Sequence, residues 1–246
     1  YLLAEITAIL AGVGLIVGAL SVTGMAGTLV NDLVFLAGGN ILVLLLMGAL
    51  TSFIMGIGMT VTAAYIFLAI VLAPALIQGG LDPLAVHLFI FYWGMVSYIT
   101  PPVALGAYAA AAIAEANPMR TGFEAMRLGS IIYFVPFFFV LDPAFILRAP
   151  WHDIVLVTAS ALAGVTLLAA ALQGYLVGVG DLTVRPLIGW PVRGLILAGG
   201  LLLATPENAL IPFSKLQMTM AALATAGPAS LLILWLDRRR RVELAE

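Results

Sequence analysis

The chain has no cysteine in its 246 residues and only two histidines. The missing cysteine excludes disulfides, thiolate metal sites and cysteine nucleophiles. Charge is scarce as well, because 9% of the residues are charged and 63% are hydrophobic, whereas a soluble domain has about 25% charged residues. Apolar runs of about 20 residues, the length that crosses a bilayer, recur along the chain. The composition therefore predicts an all-α integral membrane protein, a multi-span helical bundle with the lipid bilayer as its solvent.

The first part of the sequence is expected to form one membrane span and a connector. Leu2 to about Val30 is apolar apart from Glu5, which favours a single transmembrane helix. Asn31 and Asp32 are expected to mark a turn at the membrane interface. No charged segment of a signal peptide precedes the span, so we expect the numbering to begin inside a longer polypeptide.

A re-entrant helical hairpin is predicted over residues 40–78. Two apolar arms, Ile41–Met55 and Val61–Ile77, are joined by Gly56–Thr60. Arms of about 15 to 17 residues, at about 1.5 Å per residue, fall short of a hydrocarbon core of about 30 Å. The turn would lie near the midplane, where exposed backbone is tolerated only inside protein or beside a wet cavity. A binding site is therefore expected at the tip.

A discontinuous helix is predicted over residues 84–114. Thr100, Pro101 and Pro102 interrupt an apolar stretch that is otherwise long enough to span the membrane. Two consecutive prolines remove two backbone donors and disfavour helix at the preceding residue. Two breaks at half-membrane depth are typical of a transporter site, because freed carbonyls can coordinate a cation and helix N-termini can face an anion.

Each of these features has a simpler alternative. The Gly56–Gly58 pair could serve only close helix packing, and the proline pair could be a kink without a ligand. Ser97 could bind a substrate, or it could satisfy carbonyls that the break frees. His87 is interpreted as an interfacial residue rather than a proton relay, and Asp142 as a helix-end residue rather than part of a proton path.

Further spans are expected after a polar connector at residues 115–127. They are Leu128–Leu147, Ile154–Val179, Val192–Thr205 and Met218–Leu236. The run Arg238–Arg241 follows the last span, and the positive-inside rule places it in the cytoplasm. Counting back from that end puts residues 148–153 and 206–217 outside the cell and residues 180–191 inside.

Several motifs resemble one family of membrane transporters. They are GIGMTVTAAYI at 56–66, GGLDP at 79–83, SYITPPVAL at 97–105, AYAAAAIA at 107–114 and NPMRTGFEAMRLG at 117–129. The first three resemble the large membrane subunit of TRAP transporters. The last two resemble the fused permeases that are served by TAXI-type binding proteins. The likeness runs from about residue 12 to residue 147.

The resemblance implies a sodium-coupled secondary transporter of the bacterial or archaeal cytoplasmic (inner) membrane that works by an elevator movement. Its implied partner is a periplasmic TAXI-type substrate-binding protein, and its implied substrate is an organic acid. Residues 1–39 would be a helix and connector, 40–116 the second half of the transport domain, 117–148 a connector and helix, and 149–246 a C-terminal extension of membrane helices. The first repeat, with its own hairpin, would lie outside this chain.

The resemblance also implies a sodium site and a substrate site. The sodium ion is expected to be held mainly by backbone carbonyls, at Gly56, Gly58, Thr62, Thr100, Pro101 and Val103. The substrate is expected to contact Thr60, Thr62, Ser97 and Thr100. Thr60 stands where many members of the family have proline.

Two other kinds of function compete with transport. An intramembrane enzyme would need convergent acid, base or nucleophile groups at membrane depth, and the predicted spans offer no such set, so we do not expect an enzyme. A passive channel or an assembly subunit would lack ion coupling, and sodium dependence would separate it from a transporter. The net charge of −2 gives no indication of a nucleic-acid partner.

Overall fold

The computed structural model describes residues 22–58, 60–182, 186–207 and 213–243, together with isolated positions before residue 22. The chain divides into two compact units, Tyr1–Phe123 and Glu124–Glu246. Most of the described residues are helical, and the sheet that they contain is one two-stranded ribbon. The all-α membrane fold predicted from composition is therefore confirmed, as expected where backbone groups must be satisfied without water.

The described part of the first unit leads into helix α1, Met25–Leu36. Gly24 precedes it with a φ of +70°, so the helix expected over Leu2–Val30 is interrupted at that residue. Most of the range before it lies outside the described residues. The turn predicted at Asn31 and Asp32 is wrong. Both residues lie inside α1, because no helix-breaking residue follows them before the glycine pair beyond its end.

That glycine pair turns the chain into the predicted hairpin. Gly38 and Gly39 have φ values of +60° and +72°, which glycine adopts without steric cost. Helix α2, Ile41–Gly58, follows, and the chain bends by 119° between the end of α1 and α2. The side-chain oxygen of Asn40 caps α2 by accepting two of its first amides at 2.9 and 3.3 Å.

The two arms of the hairpin differ in length and continuity. The first arm is α2, which runs three residues beyond the predicted end at Met55 and is about 27 Å long at 1.5 Å per residue. The second arm is divided into α3, Val61–Val71, and α4, Ala73–Gln78. Pro74 lies in the first turn of α4, where its missing amide costs no helical hydrogen bond.

The discontinuous helix is confirmed, with a longer break than the prolines alone predict. Helix α5, Pro83–Val96, ends before Ser97, and helix α6, Leu105–Ile113, begins after Ala104. The side chain of Asp82 caps α5 by accepting the third amide of that helix at 3.1 Å. Residues 97–104 form successive turns.

The second unit begins with short helical pieces instead of the predicted connector and span. Helix α7, Pro118–Leu128, contains the boundary between the two units, so the connector predicted at 115–127 is largely helical. The predicted span Leu128–Leu147 is wrong as a continuous helix, because it consists of the 3₁₀ turn Ser130–Tyr133, helix α8, Val135–Leu141, and a second 3₁₀ turn. A glycine and two prolines divide these pieces: Gly129, Pro136 and Pro143.

Three longer helices complete the second unit. They are α9, Trp151–Gln173, α10, Pro186–Ala204, and α11, Lys215–Glu243, and the ribbon of β1, Tyr175–Leu176, and β2, Gly180–Asp181, follows α9. Residues Trp151–Gln173 and Lys215–Leu236 are long and apolar enough to cross a membrane. The predicted span Ile154–Val179 ends early, because Gly174 adopts a φ of +80° at the C-terminus of α9.

Small residues and a cation join α9 to α10. A Cβ atom added at Gly164 of α9 would lie 2.7 Å from the Gly200 carbonyl oxygen of α10, so the two backbones are in contact. The Arg193 guanidinium donates to the carbonyls of Ala171 and Leu172 at 2.6 and 2.9 Å, which are among the last carbonyls of α9. Cations at these positions also interact favourably with the helix dipole.

We expect Gly164→Ala to destabilise the second unit, while Gly194→Ala is neutral or slightly stabilising. The new methyl group at residue 164 has no space, whereas a Cβ at Gly194 meets nothing within 4 Å. Overpacking a close contact costs about 1 to 3 kcal/mol. Thermal unfolding of the two purified variants in detergent measures the difference. Equal midpoints for both variants would contradict the close contact between α9 and α10.

Candidate functional site

One buried hydroxyl joins the tip of the hairpin to the break in the discontinuous helix. Ser97, the first residue after α5, is fully buried. Its Oγ atom donates to the carbonyl oxygens of Gly56 and Gly94, at 3.0 and 2.8 Å. We call Gly56, Gly94 and Ser97 the tip junction. It brings the predicted sodium-site residue Gly56 together with the predicted substrate residue Ser97.

The chain folds this way because both helices end at the junction. The last four carbonyls of an α-helix have no partner in the helix, and Gly56 and Gly94 each lie within three residues of a helix C-terminus. A buried carbonyl without a partner costs free energy. The Ser97 hydroxyl shares its single hydrogen between one such carbonyl from each helix. Of the two roles open to Ser97, the geometry favours satisfying freed carbonyls.

Glycine is required at one side of this contact. A Cβ atom at Gly56 would overlap the carbonyl oxygen of Gly94. This contact also explains why the predicted turn at Gly56 and Gly58 is wrong. Both glycines are helical, because packing against α5 outweighs their helix-propensity cost of about 1 kcal/mol each.

The segment after Ser97 is held in place by hydrogen bonds of its own. Thr100 is buried, and its hydroxyl donates to the Val96 carbonyl at 2.7 Å. The Thr100 carbonyl accepts the Ala104 amide at 3.1 Å. Ala104 has a φ of +36°, a left-handed conformation that is uncommon for a residue with a side chain. The break is thus an ordered turn that is buried at Ser97, Thr100 and Ala104.

Oxygen atoms remain available in this ordered turn. Within the described residues, no amide or hydroxyl donates to the carbonyl of Pro101 or Val103. The neighbouring Pro102 carbonyl accepts the Tyr108 hydroxyl at 2.8 Å. The Pro101 ring packs beside Gly122 of α7, where an added Cβ would lie 2.8 Å from its Cγ. Two predicted sodium ligands therefore present carbonyls from a segment whose neighbours hold it on both sides.

The predicted site residues of the second arm lie at the start of α3. Thr60 is the N-cap, and its hydroxyl accepts the Ala63 amide at 3.3 Å. Thr60 and Thr62 are both exposed. In the described part of the chain, neither threonine hydrogen-bonds to residues 97–104. The structure thus joins Gly56 to Ser97 directly and leaves the two threonines at the rim of the hairpin tip.

The residues considered for proton transfer have defined partners. The Tyr65 hydroxyl lies 3.2 Å from His87 Nδ1, which links α3 to α5. The Asp142 carboxylate accepts the Ala144 amide at 2.9 Å and caps the second 3₁₀ turn, so its interpretation as a helix-end residue is confirmed. Among the described residues, no cluster of three or more His, Cys, Asp or Glu side chains could hold a metal.

Gly94 is the junction residue that sequence reasoning missed. It follows three aromatic residues in α5, in the stretch FYWG at 91–94. A single glycine inside a helical pattern often has a packing reason, and this was the available signal. What the sequence could not indicate was its partner, because Gly56 and Gly94 are distant along the chain.

We expect Gly56→Ala to lower the thermal midpoint more than Gly94→Ala does. A methyl group at residue 56 meets the Gly94 carbonyl oxygen, whereas a Cβ at Gly94 meets nothing within 4 Å. The cost of such overpacking is about 1 to 3 kcal/mol. Thermal unfolding of both variants measures this cost. A larger fall in the thermal midpoint for Gly94→Ala would contradict the close approach of Gly56 to the Gly94 carbonyl.

Comparison with known proteins supplies the family. Residues 1–152 match the family described as the tripartite ATP-independent periplasmic transporter, DctM component. No curated protein and no solved structure matches the chain. The match covers more than half of the 246 residues and confirms the predicted resemblance to the TRAP permease subunit. The chain therefore belongs to the DctM component family of tripartite ATP-independent periplasmic transporters, which are secondary transporters with a multi-pass membrane permease.

Proposed function

We propose that this chain is a permease component that couples sodium entry to the import of an organic acid delivered by a periplasmic TAXI-type binding protein. The family supports a transport role and a periplasmic binding partner. The observation that carries the coupling proposal is the tip junction, where Ser97 bonds Gly56 at 3.0 Å. It places two interrupted helices together, which is how many ion-coupled transporters build their sites.

The oxygen atoms near the tip junction suit sodium chemically. Each carbonyl oxygen has two lone pairs, so Gly56 can accept Ser97 and still face a cation. The carbonyls of Pro101 and Val103 accept no hydrogen bond from described residues. Gly58 is the last residue of α2, and its carbonyl has no partner within that helix. The proposed sodium site uses these carbonyls with Thr62 and Thr100.

An organic acid would be recognised by donors at the same rim. The N-terminus of α3 carries about half a positive elementary charge, and Thr60 and Thr62 present hydroxyls there. The Ser97 hydrogen is directed at two carbonyls, so Ser97 is less suited to donate to a carboxylate. The Thr100 hydroxyl is buried and donates to the Val96 carbonyl, so we assign the substrate contacts to Thr60 and Thr62.

We expect sodium, and not potassium at the same ionic strength, to raise the thermal midpoint of the purified protein. A ligand that binds the folded state at 100 times its Kd adds about 2.7 kcal/mol of stability. Thr62→Ala and Thr100→Ala should each reduce the sodium-specific shift. Thr166→Ala is the matched control, because Thr166 is exposed on α9 and bonds only within its own helix, at 2.7 Å. An identical response to both cations would reject the sodium site and favour a passive channel or an assembly subunit.

The proposed orientation places the C-terminus in the cytoplasm. These 246 residues contain no cysteine, so single cysteines introduced among them can report which side of the membrane each connector faces. We expect Ser214→Cys, in an exposed connector, to react with an impermeant maleimide added outside intact cells. Val177 is 82% exposed, and we expect Val177→Cys to react only after permeabilisation. The reverse labelling pattern would contradict the proposed orientation and place the C-terminus outside the cytoplasm.

A further inference from the structure

We infer that Ser97 is a positioning residue that fastens the first arm of the hairpin to the first half of the broken helix, so that the tip and the break respond to ligands together. This inference rests on the proposed function, because it assigns a role within the same ion site. It differs from the sequence-based expectation that Ser97 contacts the substrate.

The burial and bonding of Ser97 carry the first step. Its side chain is fully buried, and its hydroxyl reaches carbonyls from two separate helices, Gly56 of α2 and Gly94 of α5. A group that contacts a transported substrate must be reachable from the substrate pathway. A hydroxyl with 0% exposure and two protein acceptors is suited to fixing the relative position of those helices.

The backbone contact beside Ser97 carries the second step. A Cβ at Gly56 would overlap the Gly94 carbonyl oxygen, so α2 and α5 touch through their backbones. Interfaces of this kind are close-packed and do not deform continuously. The hydroxyl and the glycine contact therefore hold the end of α2 and the end of α5 as one body.

The second arm is held differently. Helix α3 begins after Thr60, which caps the helix with its own hydroxyl. Its described polar contact with α5 is made by the side chains of Tyr65 and His87, at 3.2 Å, one turn away from the tip. The contrast places a backbone contact and a shared hydroxyl between α2 and α5, whereas α3 meets α5 through side chains.

Hydrogen exchange of the purified protein, measured in potassium without substrate, tests this role. We expect Ser97→Ala to speed exchange at residues 55–58 by about tenfold, because the loss of one ordinary buried hydrogen bond changes a local opening equilibrium by about that factor. Ser52→Ala is the matched control. Ser52 lies in α2, the helix that contains residues 55–58, and is as buried as Ser97. Its hydroxyl has no hydrogen-bond partner within the described residues. It should leave exchange at 55–58 unchanged.

A comparison of exchange in sodium and in potassium separates this role from the sodium proposal. In the wild-type protein, replacing potassium with sodium should slow exchange at both 55–58 and 97–104, and Ser97→Ala should abolish the slowing at 55–58. Ser97→Thr keeps the hydroxyl and should restore the wild-type pattern. If Ser97→Ala cannot be purified, Ser97→Cys, a weaker donor, should give a smaller acceleration of the same segment.

The outcomes distinguish the two proposals. Faster exchange in potassium for Ser97→Ala, with no sodium effect in any variant, would support the positioning role and reject the sodium site. Unchanged exchange at 55–58 for Ser97→Ala in potassium would overturn the positioning role, whatever the response to sodium.

Discussion

Backbone carbonyls at the ends of interrupted helices are the constraint on which this structure depends. Every helix leaves its last four carbonyls without an internal partner, and in lipid there is no water to satisfy them. The first unit meets this constraint with hydroxyls. The Ser97 hydroxyl donates to carbonyls of two helices, and the Thr100 hydroxyl donates to the Val96 carbonyl. Because a neutral hydroxyl costs little to bury when it is hydrogen-bonded, these caps are suited to a break that lies away from water.

The second unit meets the same constraint with cations in addition to a hydroxyl, since Thr205 donates to the Leu201 carbonyl at 2.6 Å. Arg193 donates to the last carbonyls of α9, and the Lys215 ammonium donates to the carbonyls of Leu203 and Thr205 at 2.8 and 3.0 Å. A cation at a helix C-terminus also gains from the helix dipole. Its charge is costly to bury at membrane depth, so such residues are placed near the ends of spans.

The sequence predicted the features that depend on local chemistry and missed those that depend on distant partners. Pro101 and Pro102 cannot continue a helix, so the break between α5 and α6 was predictable from their positions alone. The extension of α2 through Gly58 was not, because it depends on Gly94 and Ser97. The continuous span expected over Leu128–Leu147 failed for a different reason. Its hydrophobicity is sufficient for a span, but two prolines and a glycine divide it into short pieces.

Gly56 can serve both helix packing and the proposed ion site. Close packing and a ligand role could be treated as alternatives for a glycine in a membrane helix, yet the proposed ion site would use both at Gly56. The lack of a side chain lets α2 reach the Gly94 carbonyl, and the proposed ion site would join the last carbonyls of α2 to those of Pro101 and Val103 through one cation. A cation that needs several oxygen ligands must bring together carbonyls from separate segments. The cost of converging their dipoles is lowered when helix packing has already fixed the segments in place. Tight packing at Gly56 is thus a physical requirement of the proposed ion site.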